Sequence, residues 1–276
     1  NEKEIKKNFL PFYSNSGIPK ASLNSVLHFE YNNISSLEKI LVSDKNIGAI
    51  KMEVVRNEYP KNNFLQKVKK LSQKYNKILI FDECTTGFRE TLGGIYKKFN
   101  VEPDILILGK ALGNGYPITC VIGKEEIMKL KNKTFISSTF WTDRIGPVAA
   151  LETINIMERQ KTWKKITKIG NKVRNFWSIV SNKYRLPIST QGIPALSSYY
   201  FKDEENNLLF RSYLINNLLK KNFLSSNIFY ASTSHTNKIL KKYFECLDEG
   251  FFEMRKSIDN ESIFKLRKKL KNLKTF

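Results

Sequence analysis

Residues 81–122 read FDECTTGFRETLGGIYKKFNVEPDILILGKALGNGYPITCVI. Two short apolar runs, Ile78–Phe81 and Ile105–Leu108, are rich in β-branched and aromatic residues. The first stops at Asp82 and the second at Gly109-Lys110. Runs of this length without polar alternation predict strands of a parallel sheet, buried on both faces. In open α/β sheets, ligands bind just beyond the carboxyl ends of the strands. Asp82 and Lys110 are therefore expected to bring opposite charges to the same edge of one sheet.

Working outward, Ile47–Val55 reads as another buried strand that ends near Glu53. Phe64, Leu65, Val68, Leu71 and Tyr75 then follow at helical spacing, with lysines on the opposite face. Strand, helix, strand is a βαβ unit, expected to cross over right-handed. Upstream, Phe29–Ser36 predicts a strand and turn, and Ile34–Val42 a short helix. The opening stretch NEKEIKKNFLPFYSNSGIPK has no clear period. Downstream, Thr85–Asn100 predicts a loop and short helix, and Thr119–Ile122 a short strand. Val148, Leu151, Ile154 and Met157 form one helical stripe, and a longer stripe runs from Trp163 to Val180. The pattern then becomes α+β. Ala195–Phe201 predicts a strand, Leu208–Lys221 a helix, Phe223–Tyr230 a strand or loop, and Ile239–Met254 a helix with Ile239 inward. The expected division is a large domain over 1–158 and a smaller C-terminal domain over 159–276.

The chain has 276 residues, 41% of them hydrophobic, enough for a substantial core in one or two domains. No apolar run approaches the length of a membrane span, and no secretory leader opens the sequence. Cys84, Cys120 and Cys246 are widely spaced and odd in number, which predicts neither a metal site nor a disulfide framework and fits a reducing cytoplasm. Net charge is +21. Such a charge suits an anionic partner such as nucleic acid. However, the lysines are scattered, and the dense basic run is confined to residues 265–271. No aromatic residues interleave with basic ones as single-strand binders require. The expectation is no specific nucleic acid and no membrane partner.

An Asp and a Lys at neighbouring strand ends suit pyridoxal 5'-phosphate. That cofactor takes a lysine amine as a Schiff base, and a carboxylate holds its ring nitrogen protonated so that the ring can accept electrons. The stretch resembles the signature of the class III (ω-type) pyridoxal-phosphate aminotransferases, nearest the glutamate-1-semialdehyde aminomutase-like branch. Asp82-Glu83, Thr86-Gly87-Phe88-Arg89, Pro103-Asp104 and Gly109–Pro117 carry the resemblance. Weaker matches are Ser137–Phe140 and Phe223–Thr236, and the sequence departs from the family at Trp141–Pro147, WTDRIGP.

The resemblance implies a type I transferase fold with a mostly parallel sheet and a smaller α+β domain. It also implies amino-group transfer between an amine or amino acid and a keto acid or aldehyde, or within one molecule, in a homodimer. Lys110 would form the Schiff base and then move the proton. Asp82 would hold the ring nitrogen, and Glu83 would have a supporting or structural role. Cys84 would pack on the ring as a small hydrophobe. Thr85 would reach the ring oxygen, and Thr139 the phosphate of the opposite subunit. His235 reads equally as a substrate-side or a structural group. No phosphate cup or ring-stacking aromatic is found between Asn1 and Asn46, so the large domain is expected to be incomplete on its N-terminal side. Two rival readings are a truncated or degenerate scaffold without turnover and a basic nucleic-acid-binding protein.

Overall fold

The computed structural model describes residues 25–266, together with Pro19 and Ser22. The opening stretch and most of the basic run over 265–271 lie outside the described residues. Helix α1, Ile34–Ser43, starts at Asn33, whose side chain accepts a hydrogen bond from the Ser36 N–H at 3.2 Å. Strand β1, Ala49–Met52, leads into α2, Phe64–Lys74, which buries Phe64, Leu65, Val68 and Leu71. Next come β2, Ile78–Glu83, β3, Ile105–Leu108, and β4, Cys120–Gly123. These four strands form one sheet in sequence order, β1 to β3 parallel and β4 antiparallel to β3.

Helices α3, Ile145–Gln160, and α4, Thr162–Lys183, meet at Lys161, which is left-handed at φ 50°. Then follow β5, Ile188–Ile193, β6, Leu196–Phe201, α5, Asn207–Lys220, β7, Ile228–Tyr230, and α6, Asn237–Asp259. The last three strands form a second, antiparallel sheet in the order β5-β6-β7.

Two large apolar cores result, with a small third cluster of Ile166, Ala195 and Ala231. One joins Leu37 and Leu41 of α1, Leu65 and Val68 of α2, and Leu79 and Phe81 of β2. The other centres on Trp177, Tyr199, Leu214, Leu247 and Phe251. Within it, Trp177 donates Nε1–H to the Tyr243 hydroxyl at 3.3 Å, so its one polar group is satisfied.

The strands of the first sheet are not buried on both faces as expected. Burial alternates along β1, β2 and β3 because successive side chains point to opposite faces, and α1 and α2 pack against only one of them. The second face carries Lys51, Ile80, Asp82, Ile105 and Ile107, all exposed or half-buried. Strand β2 also runs through Asp82 and Glu83 instead of stopping at Phe81.

Three further expectations fail. Residues 29–33 form no strand. Tyr31 instead donates its hydroxyl to the Val54 carbonyl at 2.5 Å, tying the segment down as a loop. Val148 and Leu151 of the α3 stripe are 62% and 64% exposed, and α3 buries Gly146 and Ala150 instead. Ile239 is 42% exposed, because α6 turns Leu240, Tyr243 and Leu247 to the core.

Asp104 pins the sheet. Its carboxylate accepts the Leu79 N–H at 2.8 Å and ion-pairs Lys69 of α2 at 3.0 Å and Lys124 at 2.8 Å. Burial raises its pKa, but the Lys124, Leu79 and Lys69 hydrogen bonds outweigh this and hold it at about 2. A carboxyl whose folded pKa lies below its unfolded value stabilises the fold above the unfolded value and loses that stabilisation as pH falls through the folded one. Asp104→Asn is therefore expected to remove about 1–2 kcal/mol at pH 7. The deficit should shrink below pH 4, as a urea-denaturation series at several pH values would show.

Candidate active site

Backbone alternation sends Glu83 into the core and Asp82 to the open face. Glu83 is fully buried and accepts the N–H groups of Ile95 and of Tyr96 (2.9 Å for Tyr96), with the Thr86 hydroxyl at 3.4 Å. Burial pushes its pKa up to about 7 against those hydrogen bonds. Glu83 thus fixes the far end of the loop that begins at Cys84.

Asp82 accepts the Cys84 N–H at 3.2 Å and ion-pairs Lys51 of β1 at 2.8 Å. Burial raises its pKa, but the Lys51 hydrogen bond, the Cys84 N–H and the Lys51 and Lys110 charges outweigh it and hold the carboxyl below its ordinary value. It is therefore an anion at neutral pH.

Lys110 follows β3 by two residues. It is exposed and left-handed at φ 47°, an uncommon conformation for a residue with a side chain. Its Nζ donates to Thr85 Oγ1 at 2.7 Å. Gly109 lets the two loops approach, since a Cβ there would lie 2.5 Å from Cys84 Sγ. Register places Asp82 beside Ile107 on the neighbouring strand, so Asp82, Cys84, Thr85 and Lys110 converge on one sheet edge.

Thr139 is not drawn into this cluster. It lies in an exposed segment with Phe135, 96% exposed, and Phe140, 78% exposed. His235 uses Nδ1 to accept the Ser232 N–H at 3.0 Å and packs on Phe229 with ring centroids 4.9 Å apart. Burial lowers its pKa. These contacts give it a structural role in the turn before α6.

A cavity of about 630 Å³ opens at Lys110. It lies between the loop over 110–117, helix α3, the start of α4 and the segment over 231–233, with Arg89, Thr153, Gln160 and Ser232 on its walls. That size suits a small-molecule site. Sequence reading missed Lys51 and the α4 wall. The signal for Lys51 was present, since it and Asp82 fall on one face once the parallel register is known.

Among the described residues, no group of three or more His, Cys, Asp or Glu is placed to hold a metal ion. No described helix is long and apolar enough to cross a membrane.

The fold is that of the type I pyridoxal-phosphate transferases. A family model described as aminotransferase class-III matches residues 1–222, and the chain belongs to that family. Among curated relatives it is 33% identical to the 3-aminobutyryl-CoA aminotransferase of Cloacimonas acidaminovorans, over 88% of this chain and 61% of that one. It is 37% identical to the glutamate-1-semialdehyde 2,1-aminomutase of Sulfolobus acidocaldarius, over 58% of this chain and 39% of that one. The FumI protein of Sphingopyxis sp. MTA144, solved in its PLP internal aldimine form, superposes with a TM-score of 0.83 at 21% identity, over 88% of this chain and 61% of that one. The chain thus spans less than two thirds of the length of each of these relatives.

Proposed function

We propose that the protein transfers an amino group between an amine or amino acid and a keto acid or aldehyde, or within one molecule, with pyridoxal 5'-phosphate held at Asp82 and Lys110. The observation that carries this is the convergence of an anionic Asp82 and the Lys110 amine on one sheet edge, beside a cavity. Both ends of the pairing fit the cofactor: a carboxylate for the ring nitrogen and an accessible primary amine for the aldehyde carbon. When bound, the cofactor supplies an electron sink for the substrate carbon.

Lys110 would hold the cofactor through its amine and would carry the proton that leaves the substrate carbon. Thr85 orients its Nζ through the 2.7 Å hydrogen bond. Asp82 would keep a proton on the ring nitrogen by its negative charge. Cys84 would pack beside the ring as a small apolar group.

A homodimer is part of the same reading. Phe140 and Trp141, 78% and 68% exposed, continue into Ile145, Val148 and Leu151, each at least 60% exposed. Such an apolar stretch favours burial against a second copy. It would also carry Thr139 to the partner's phosphate site. The division at 158/159 is supported by the left-handed joint at Lys161 and by the separate second sheet, β5-β6-β7, although Ile193 and Leu196 of that sheet pack into the first core. The unpaired cysteines favour the cytoplasm.

The test is a panel of amine donors offered to the cofactor-loaded protein with a keto acid. New amine product is expected for at least one donor. Stoichiometric cofactor without transfer to any acceptor would favour the rival scaffold reading.

Lys51 sets a further expectation. Its ammonium sits on the carboxylate that the ring nitrogen needs. Lys51 is 58% exposed, so the pair contributes less than about 1 kcal/mol to stability. Lys51→Met should leave the melting temperature nearly unchanged and tighten cofactor binding about three- to tenfold by fluorescence titration. Weaker binding would show that Lys51 assists Asp82.

A further inference from the structure

Helix α4 carries a basic stripe outside its buried face. Its 22 residues contain no Asp or Glu. Lys161 at the joint with α3, then Lys165, Lys168 and Lys172, follow one another at spacings of four, three and four and so share one side of the helix. All four are exposed, and no described acid forms an ion pair with any of them. Their side-chain hydrogen bonds go to amides: Lys165 Nζ donates to Gln160 Oε1 at 3.4 Å, and Lys172 Nζ to Asn237 Oδ1 at 2.9 Å. At the rise of an α-helix the stripe is about 17 Å long.

Each end of the stripe reaches a cavity. Lys161 stands between Gln160 and Thr162, which line the cavity beside Lys110. Beyond Lys172 the same side of α4 continues as Phe176 and Ile179, which with Leu240 and Phe244 of α6 line a second cavity of about 500 Å³. There the Phe176 and Phe244 rings stack, with centroids 4.2 Å apart and planes at 14°. Glu245 and Asn237 add polar groups to the lining, and Asp248 is ion-paired with Lys183 at 2.8 Å. Phosphate oxygens are strong partners for unpaired ammonium groups, and nucleotide bases stack on aromatic rings. We propose that the amino donor or acceptor is carried on a nucleoside-diphosphate handle. The base lies in the groove at Phe176 and Phe244, the phosphates lie along Lys172, Lys168 and Lys165, and the arm enters the first cavity past Lys161. This rests on the amino-transfer reading above and narrows it to nucleotide-linked substrates. The stripe and the groove bind the handle and take no part in moving the proton.

ADP binding, followed by calorimetry at about 0.15 M salt with and without cofactor, tests the handle by itself. The parent is expected to bind one ADP saturably. Lys165→Gln/Lys168→Gln/Lys172→Gln should weaken that binding at least tenfold. Lys39→Gln/Lys67→Gln/Lys70→Gln removes the same charge from exposed positions on α1 and α2 and should leave it within twofold. Phe244→Leu should weaken ADP binding at least threefold and leave inorganic tripolyphosphate binding unchanged, because it removes a stacked ring and no charge. As donors, the 6-aminohexyl ester of ADP should show a KM at least tenfold below that of hexylamine. The α4 triple variant should lose that difference and keep the parent's hexylamine kinetics, and melting temperatures close to the parent's would show that the variants fold.

The absence of saturable ADP binding by the parent would overturn the handle, as would an equal loss in the α1–α2 variant, which would reduce the effect to net charge. Unchanged ADP affinity in Phe244→Leu would take the base out of the groove and overturn it too. Equal KM values for the two donors in the parent would separate the nucleotide from the reaction, with the same consequence. Duplex DNA bound more tightly than ADP, and released by the α4 triple substitution, would assign the stripe to nucleic acid instead. ADP binding is read on the cofactor-free protein, so failure of transfer from both donors would defeat the amino-transfer reading and still leave the nucleotide site decided.

Discussion

Lys110→Ala is expected to abolish covalent cofactor attachment and to lower amino transfer by at least about 10⁴-fold, the upper range for removal of a positioned proton carrier. Two roles are lost together, the amine that bonds the cofactor and the base that moves the substrate proton. No described lysine replaces it. Lys51 is closest to the opposite end of the pairing, where its Nζ meets Asp82 at 2.8 Å. The fold should tolerate the change. Lys110 is exposed and its side chain makes one hydrogen bond, to Thr85, so the stability change should stay within about 1 kcal/mol. Lys110→Arg should fail equally in transfer, because a guanidinium is neither nucleophilic nor readily deprotonated. The checks are single-turnover transfer with a good donor and a thermal melt. Transfer at the parent rate by either variant would remove Lys110 from the chemistry.

Asp82→Asn is expected to keep the cofactor and to slow transfer on the order of 100- to 1,000-fold, the usual loss when one preorganised charge contact is removed. The amide matches the carboxylate in shape and can still accept the Cys84 N–H, now 3.2 Å from Asp82 Oδ1. It cannot hold a proton on the ring nitrogen by charge. Stability should fall by less than about 1 kcal/mol, since the Lys51 partner is 58% exposed. Half-reaction rates measured across pH separate this from a packing defect. Unchanged rates would mean that Asp82 is not the partner of the ring nitrogen.

The part of the site legible in sequence was the part written into strand ends. Ile78–Phe81 and Ile105–Leu108 are apolar up to a charged or glycine residue, and that contrast located Asp82 and Lys110. The same runs hid the faces of the sheet. With Ile, Leu and Phe at every position, nothing marks which side chains point to α1 and α2, so burial on both faces was inferred where burial alternates.

Lys51 was overlooked because its meaning depends on register, and register is a property of the paired strands. The helical stripe containing Val148 and Leu151 was read as core, because periodicity reports an apolar face without saying what covers it. Strand β5 was missed because Ile188–Ile193 is half polar and contains Gly192; its six-residue pairing with β6 supplies what its own propensity lacks. Arg89 Nε and Thr162 Oγ1, buried without a hydrogen-bond partner among the described residues, could not be seen at all, since an unpaired group is defined by its surroundings.

The most direct test of the central claim is to load the protein with pyridoxal 5'-phosphate, reduce it with borohydride, digest it and map the pyridoxyl label. A single stoichiometric label on the peptide that contains Lys110 is the predicted result. A label on Lys51, or one spread over surface lysines with none enriched at residue 110, would contradict it.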